Sequence, residues 1–136
     1  METSSFAPGE AIFREGDIGD IAYLVASGTV EISRHEDGKR VVLGEIKSGI
    51  LFGEMALISD LPRSADATAK DQCVVYRVPR TVFETELNGT SALMRSLVLN
   101  LINHVRSLIA QLQAARATAK PGVVVHQPLD FKHYKS

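Results

Sequence analysis

A short stretch near the middle of the chain, FGEMALISDLPRSADATA, places a glycine, a carboxylate, an arginine and a serine close together. Gly53 has no Cβ, so a ligand can approach its backbone closely. The residues from Glu54 to Ile58 predict one short helical turn, whose free amides attract phosphate and whose carboxylate can accept from a ribose hydroxyl. Arg63 can grip two phosphate oxygens, and Ser64 adds a hydroxyl. This order of residue types predicts a site for a sugar phosphate.

A plainer interpretation fits the same residue types. Glu54 and Arg63 could form a surface ion pair, and Gly53 could simply make a turn. Residue types alone favour this second interpretation, because surface ion pairs are common and contribute little to stability.

The elements that must position these residues are predicted as short strands separated by turns through the first 80 residues. Runs of β-branched and aromatic residues predict strands, for example at Thr29–Ser33 and Cys73–Val78. Asp37–Gly38 is the strongest hairpin turn, because its glycine supplies the positive φ that a tight turn needs. The close, even spacing of the turns favours an all-β sandwich or barrel.

Two helices are predicted after the last strand, which Pro79 ends. The first is short, over Arg80–Leu87, and Asn88–Gly89 breaks it. Ser91 can cap a second helix by accepting an amide hydrogen bond at its amino end. We expect this helix to extend from about Ala92 to about Ala117, and residues beyond it to form a loose tail in which Val123–Val125 could pair as a short strand.

The predicted long helix carries a wide apolar surface. Seven residues repeat at the alternating spacings of four and three that mark a coiled-coil seam, namely Met94, Val98, Leu101, Val105, Leu108, Leu112 and Ala115. A second apolar edge beside it is formed by Leu97, Ile102 and Ile109. Because one helix on one barrel needs a single stripe, we expect one edge to pack on the barrel or over a ligand, and the other to meet the same helix of a second chain. A wide core-facing stripe in a monomer would explain the same pattern.

Length and composition limit the remaining possibilities. A chain of 136 residues suggests one domain, and 45% apolar with 23% charged residues is typical of a globular protein. No stretch approaches 18 uncharged apolar residues, so no membrane span is expected, and the start of the chain lacks the regions of a signal peptide. The single Cys73 excludes an internal disulfide and favours a reducing, cytoplasmic location.

Charge and chemistry exclude several classes of function. Residues 1–88 carry 9 Lys and Arg against 15 Asp and Glu, whereas residues 89–136 carry 6 against 1. The acidic body disfavours broad nucleic-acid binding. No metal or cofactor is expected, because the four histidines lack metal-ligand spacing. No enzymatic activity is expected either, because no nucleophile or activated water accompanies the glutamate and the arginine.

The middle stretch resembles the phosphate-binding cassette of the cyclic nucleotide-binding domain family. That family has Phe-Gly-Glu, an apolar residue, Ala-Leu, a variable stretch, then Pro-Arg-Ser/Ala/Thr-Ala. The pattern is met by Phe52, Gly53, Glu54, Met55, Ala56, Leu57, Pro62, Arg63, Ser64 and Ala65. Upstream signatures at Pro8–Gly9–Glu10, Glu15–Gly16–Asp17 and Ser27–Gly28 agree in order, so the resemblance covers about residues 6–112.

The resemblance implies a mainly β fold with helices: a jelly-roll β-roll over about residues 6–79, followed by a short helix and a long C-terminal helix over about 80–119. The domain would thus span residues 1–119 and the tail 120–136. The implied ligand is a cyclic nucleoside monophosphate, held by Gly53, Glu54, Met55, Ala56, Leu57, Arg63, Ser64 and Ala65. Glu54 would accept from the ribose 2′-hydroxyl and Arg63 would pair with a cyclic phosphate oxygen. The amides of Ala56 and Ser64 would face the phosphate.

Ser64 favours cAMP modestly over cGMP, because its hydroxyl has a shorter reach than that of threonine and would fix a guanine contact less firmly. The resemblance also implies a sensor, which we expect to be cytoplasmic, and it agrees with a homodimer formed through the C-terminal helix. Only about 17 residues follow that helix, too few for a helix-turn-helix, so DNA binding is not expected. A regulatory-domain fragment of a channel, kinase or transporter and a scaffold that has lost its ligand are the alternatives. Asp66 departs from the family, which has Thr or Ser there. In a strand it would point away from Ala65, whereas pointing inward it would weaken phosphate binding.

Overall fold

The computed structural model describes residues 1–118, in which eight strands precede two helices. The strands are β1 (Thr3–Phe6), β2 (Ala11–Phe13), β3 (Ile21–Ser27), β4 (Val30–Glu36), β5 (Lys39–Ile46), β6 (Leu51–Phe52), β7 (Asp66–Ala69) and β8 (Cys73–Pro79). The helices are α1 (Arg80–Gly89) and α2 (Ala92–Thr118). A short 3₁₀ turn, Glu54–Leu57, lies between β6 and β7 and is called the cassette turn below.

The strands pair into two antiparallel sheets of four strands, in the orders β1-β8-β3-β6 and β2-β7-β4-β5. Val25 lies opposite Val75 in the first sheet, and Val30 lies opposite Ala69 in the second. The predicted mainly β fold, followed by a short and a long helix, is confirmed.

The buried core lies where the inner faces of the two sheets meet. Its members come from both sheets and are mostly β-branched or small, namely Val25, Val30, Phe52, Ala67, Ala69, Cys73 and Val75. Alanine at two positions of β7 leaves room for the larger Val25, Val75 and Phe52 opposite, so the sheets can pack closely. Cys73 is fully buried here, as a small core residue rather than an exposed thiol.

Local signals in the sequence explain the turns and the helix ends. Asp37 and Gly38 join β4 to β5 with φ angles of 52° and 76°, the two positive values that a tight primed hairpin turn requires. The Ser91 hydroxyl accepts from the Met94 amide at 3.2 Å and caps α2 as predicted. The first helix continues to Gly89 instead of ending at Leu87, and the chain leaves the helix at Thr90, whose backbone is extended.

The predicted tail over residues 120–136, including the strand expected at Val123–Val125, lies outside the described residues. Within residues 1–118, no helix is both long enough and apolar enough to cross a membrane.

Candidate functional site

A cavity of about 320 Å³ opens between the cassette turn, β2 and β4. Volumes of this size are at the lower end of those that hold small-molecule ligands. It is lined by Phe13, Ile32, Gly53, Glu54, Met55, Ala56, Leu61, Pro62, Arg63, Ser64 and Ala65. Seven of the eight residues that the sequence predicts to hold a ligand are therefore brought to one cavity.

Gly53 enters the cassette turn in a left-handed conformation, with φ of 69°. A Cβ at this position would lie 2.9 Å from Nη1 of Arg63 and 3.2 Å from the Phe13 ring. Both the backbone angle and the lack of space therefore demand glycine. The Gly53 carbonyl accepts from the Ala56 amide at 3.2 Å, so the Ala56 amide that was predicted to face phosphate already has a partner within the turn.

Arg63 is held in place through both its backbone and its side chain. Its amide donates to the Asp17 carbonyl and its carbonyl accepts from the Gly16 amide, each at 2.8 Å. The guanidinium donates from Nη1 to the Gly53 carbonyl at 3.1 Å and from Nη2 to the Ile21 carbonyl at 2.6 Å. These contacts fix a planar cation at the wall of the cavity, beside the turn that carries Glu54.

The environment of the Arg63 guanidinium is apolar on one side and acidic on another. It stacks 4.2 Å above the centre of the Phe13 ring, a cation–π arrangement. Its Nε is buried and has no hydrogen-bond partner. Burial lowers the pKa of the guanidinium, and nearby Tyr23, Asp17 and Asp20 oppose that shift. Because arginine is effectively always protonated in proteins, the site presents a fixed, partly desolvated positive charge.

Sequence reasoning missed the aromatic floor of the site. The rings of Phe13, Tyr23 and Phe52 lie with their centres 5.5–6.1 Å apart, distances at which aromatic pairs attract. Phe13 stacks on the guanidinium, and the other two rings pack against Phe13. Phe52 belongs to the cassette pattern, but Phe13 and Tyr23 lie on β2 and β3, and no local signal in the sequence joins these two rings to Arg63.

The other predicted residues differ in how they are placed. Glu54 is exposed and Met55 is 38% exposed, so both can reach a ligand from the rim. Ala65 is buried immediately before β7. Leu57 does not line the cavity: it is only 8% exposed, on a turn that packs against β3 and α1. Its apolar side chain anchors the turn instead of facing the ligand.

Asp66 lies on the face of β7 opposite Ala65 and Ala67, which settles the two orientations left open by the sequence. Its carboxylate accepts from the Glu15 amide at 2.7 Å and lies 3.6 Å from Nδ1 of His35. Ala67, by contrast, is fully buried in the core. The negative charge of Asp66 therefore points away from the cavity and ties β7 to the loop after β2.

The carbonyl end of the cassette turn is bound by two arginines that the sequence did not single out. Arg80, at the start of α1, donates to the carbonyls of Ala56 at 2.7 Å and Ser59 at 2.6 Å. Arg106, on α2, donates from Nε to the Ile58 carbonyl at 2.7 Å. Since the acceptors are backbone atoms, which every residue has, no sequence pattern marks these contacts.

Two of the other cavities suit an anion less well. A larger groove of about 690 Å³ lies between α1 and α2, but its lining holds Glu86 and no cationic side chain. A third cavity, of about 290 Å³, shares Arg63 with the first but is bordered by Asp17 and Asp20. Within residues 1–118 no cluster of His, Cys, Asp and Glu could hold a metal ion. The first cavity is therefore the candidate ligand site.

The sequence of this chain is similar to those of known proteins. A family model described as Cyclic nucleotide-binding domain matches residues 3–89. A cAMP-dependent protein kinase regulatory subunit from Yarrowia lipolytica is 42% identical over 77 residues, which is 57% of this chain and 20% of that protein. A cGMP-dependent protein kinase from Eimeria tenella is 36% identical over 103 residues, covering 75% of this chain and 10% of that protein.

Among solved structures, the EAL enzyme Bd1971 in a half-site-occupied form matches with a TM-score of 0.75 at 28% identity, covering 78% of this chain and 96% of that one. The same enzyme is known in cAMP-bound and cGMP-bound forms. This chain spans about a fifth of the length of the Yarrowia relative and a tenth of the Eimeria one.

Proposed function

The chain belongs to the cyclic nucleotide-binding domain family, and on that premise we propose that it binds cAMP in the cavity beside Arg63 and signals through α2. The observation that carries the proposal is the Arg63 guanidinium, fixed by two backbone carbonyls at the wall of a cavity that Glu54 and Ser64 also line. A preorganised, partly desolvated cation of this kind suits the single negative charge of a cyclic phosphate.

Each predicted ligand residue has a role in this proposal. Arg63 pairs with an exocyclic phosphate oxygen, and Ser64 offers its hydroxyl and amide to the same group. Glu54 accepts from the ribose 2′-hydroxyl, while the missing side chain of Gly53 leaves room for the sugar. Among the apolar lining residues, Ile32 and Leu61 are available to the base. Met55, Ala56 and Ala65 complete the wall, and Leu57 supports the turn from behind.

We assign cAMP as the preferred ligand. Ser64 is the residue that could contact a guanine, but its side chain is short and lacks the methyl group that fixes the rotamer of threonine. A single hydrogen bond contributes about 0.5–1.5 kcal/mol, so even a formed contact would change the ratio of affinities only modestly. Relatives named for cAMP and for cGMP both resemble this chain, so the preference rests on Ser64 alone.

The long helix supports the second half of the proposal, a homodimer whose helices respond to ligand. The burial of α2 divides the predicted seam: Val98 and Val105 are half-buried together with Ile102 and Ile109 of the second edge, whereas Leu101 and Leu108 are 54% and 52% exposed. The exposed edge suits the same helix of a second chain, as a coiled-coil seam would. No described residue of α2 lines the nucleotide cavity, so a lid role requires α2 to shift between two positions.

The module we propose spans residues 1–119, followed by the tail over 120–136, and acts in the cytoplasm as a sensor with no catalytic step of its own. Relatives that carry the name regulatory subunit support that role. A regulatory piece of a larger kinase, channel or transporter would use the same binding step. A scaffold with this fold but without ligand is the competing proposal, and binding data distinguish the two.

Calorimetric titration with cAMP and with cGMP tests the proposal, after the protein has been unfolded, stripped of carried-over nucleotide and refolded. We expect saturable binding of one cAMP per chain. If neither nucleotide binds at concentrations up to about 1 mM, equivalent to only about 4 kcal/mol of binding free energy, the scaffold alternative replaces the sensor.

A further inference from the structure

The cassette turn has two sides with different partners. Its amino end, Gly53 and Glu54, lines the candidate nucleotide cavity. Its carbonyl end is bound by two guanidinium groups. Arg80 donates hydrogen bonds to the carbonyls of Ala56 and Ser59, and Arg106 donates one to the carbonyl of Ile58. The same short turn therefore lines the ligand site through Gly53 to Ala56 and is held by arginines of both helices.

The two arginines hold the turn from different parts of the chain. Arg80 directly follows β8, so the adjoining strand already limits how far it can move. Its Nη2 also lies 2.8 Å from Asp60, a third contact to the segment after the turn. Arg106 lies midway along α2, a helix that exposes much of its apolar surface. Arg106 is thus the guanidinium whose position follows that of α2.

We propose that Arg106 is the positioning residue through which occupancy of the nucleotide cavity and the position of α2 control each other. This inference rests on the proposed binding of a cyclic nucleotide. When α2 is docked, Arg106 holds the Ile58 carbonyl and with it the turn, so the wall formed by Gly53 and Glu54 is already in place for the ligand. Preorganisation of this kind raises affinity, because less order has to be imposed on binding.

Thermodynamic linkage requires this coupling to act in both directions, from α2 to the ligand and from the ligand to α2. If the docked Arg106 contact raises nucleotide affinity, bound nucleotide must stabilise the docked contact by the same factor. Bound ligand would therefore favour the docked position of α2 through the Ile58 carbonyl, which does not line the cavity. Because the contact is a single, exposed hydrogen bond, we place the coupling at the low end of the usual range, about fivefold.

The first arm of the test measures cAMP affinity by calorimetry in the full chain. Arg106→Ala should bind cAMP about fivefold more weakly than wild type. Arg106→Lys should recover most of that loss, because one Nε contact needs a donor and a charge but not a bidentate fork. Arg116→Ala is the matched control, since it removes the same charge from the same helix ten positions further on, and its affinity should equal that of wild type.

The second arm measures a movement that a merely structural role would not affect. Spin labels at Lys39→Cys on β5 and Ala110→Cys on α2, in a Cys73→Ala background, report the distance between β-roll and helix. Saturating cAMP should change that distance in wild type and in Arg116→Ala, and the change should fall by at least half in Arg106→Ala.

The outcomes separate the two proposals. If wild type binds no cyclic nucleotide, the proposed function is wrong and this inference is overturned with it. If wild type binds cAMP normally while Arg106→Ala keeps both its affinity and the distance change, only the role of Arg106 is overturned. Equal losses in Arg106→Ala and Arg116→Ala would show a general effect of helix charge and would also overturn it.

Discussion

Replacing Arg63 by alanine removes the charged donor on which the proposed ligand site depends. The side chain is half-buried, stacks on Phe13 and is fixed by the carbonyls of Gly53 and Ile21. In a partly desolvated site, a phosphate that loses its cationic partner is left without a charged donor. Removing one member of such a pair costs about 2–5 kcal/mol, which is a loss of about 30-fold to several thousand-fold in affinity.

The same change also costs stability, which an assay has to separate from binding. Two hydrogen bonds at about 0.5–1.5 kcal/mol each and one cation–π contact at about 0.5–1 kcal/mol are lost. The free energy of unfolding should therefore fall by about 1.5–4 kcal/mol, which lowers the thermal midpoint by roughly 5–15 °C in a domain of this size. Binding is best measured at 10 °C, where the variant remains folded.

Arg80→Ala provides the matched control. Its guanidinium also binds carbonyls near the cassette turn, at Ala56 and Ser59, but it does not line the cavity. We expect a similar loss of stability and a loss of cAMP affinity below about tenfold. Titration calorimetry, with circular dichroism to verify folding, compares the two variants. If Arg63→Ala binds cAMP as well as Arg80→Ala does, Arg63 does not pair with the phosphate and the reasoning fails.

Three further predictions follow from other parts of the molecule. A competition assay should show cAMP binding more tightly than cGMP by no more than about tenfold, because Ser64 offers one hydrogen bond; cGMP binding tenfold more tightly than cAMP would contradict this. Leu101→Asp with Leu108→Asp should convert the dimer to a monomer in sedimentation at about 50 μM while the β-roll stays folded; a wild type that is monomeric with and without nucleotide would show that α2 does not pair. Burial raises the pKa of the Cys73 thiol, so above pH about 8.5 the unfolded chain releases a proton that the folded chain keeps. Urea titrations should therefore show wild type losing stability between pH 7 and 9.5, while Cys73→Ala loses less; parallel losses would indicate another titrating group.

The local signals in the sequence predicted local structure well. Asp37–Gly38 marked the β4–β5 turn, and Ser91 marked the start of α2, because each acts through atoms within three residues. The order of residues from Gly53 to Ala65 predicted most of the cavity wall for the same reason. One short segment carries these residues, so their spacing along the chain is also their spacing in space.

The contacts that tune the site could not be predicted, because they join distant positions through backbone atoms. Arg63 donates to Ile21, 42 residues earlier, and Asp66 accepts from the Glu15 amide, 51 residues earlier. Because every residue has a backbone carbonyl, the residue type does not show which carbonyl accepts a hydrogen bond. The Arg106 contact to the Ile58 carbonyl could not be predicted for the same reason. Leu57 was placed with the ligand because it lies beside ligand residues in the sequence, although a helical turn sends neighbouring side chains in different directions.

The pairing of β1 with β8 has a consequence for how the domain folds. Thr3 pairs with Tyr76, 73 positions later, so the first strand has no partner until nearly the whole β-roll has been synthesised. Closing such a long loop costs entropy before any contact is gained, and topologies dominated by distant pairings fold in milliseconds to seconds. The loop that positions Arg63 connects β2 to β3, early in the chain, whereas Arg63 itself is made much later. A ribosome-bound chain that stops before Cys73 would therefore leave β1 unpaired and β3 without one of its two neighbouring strands.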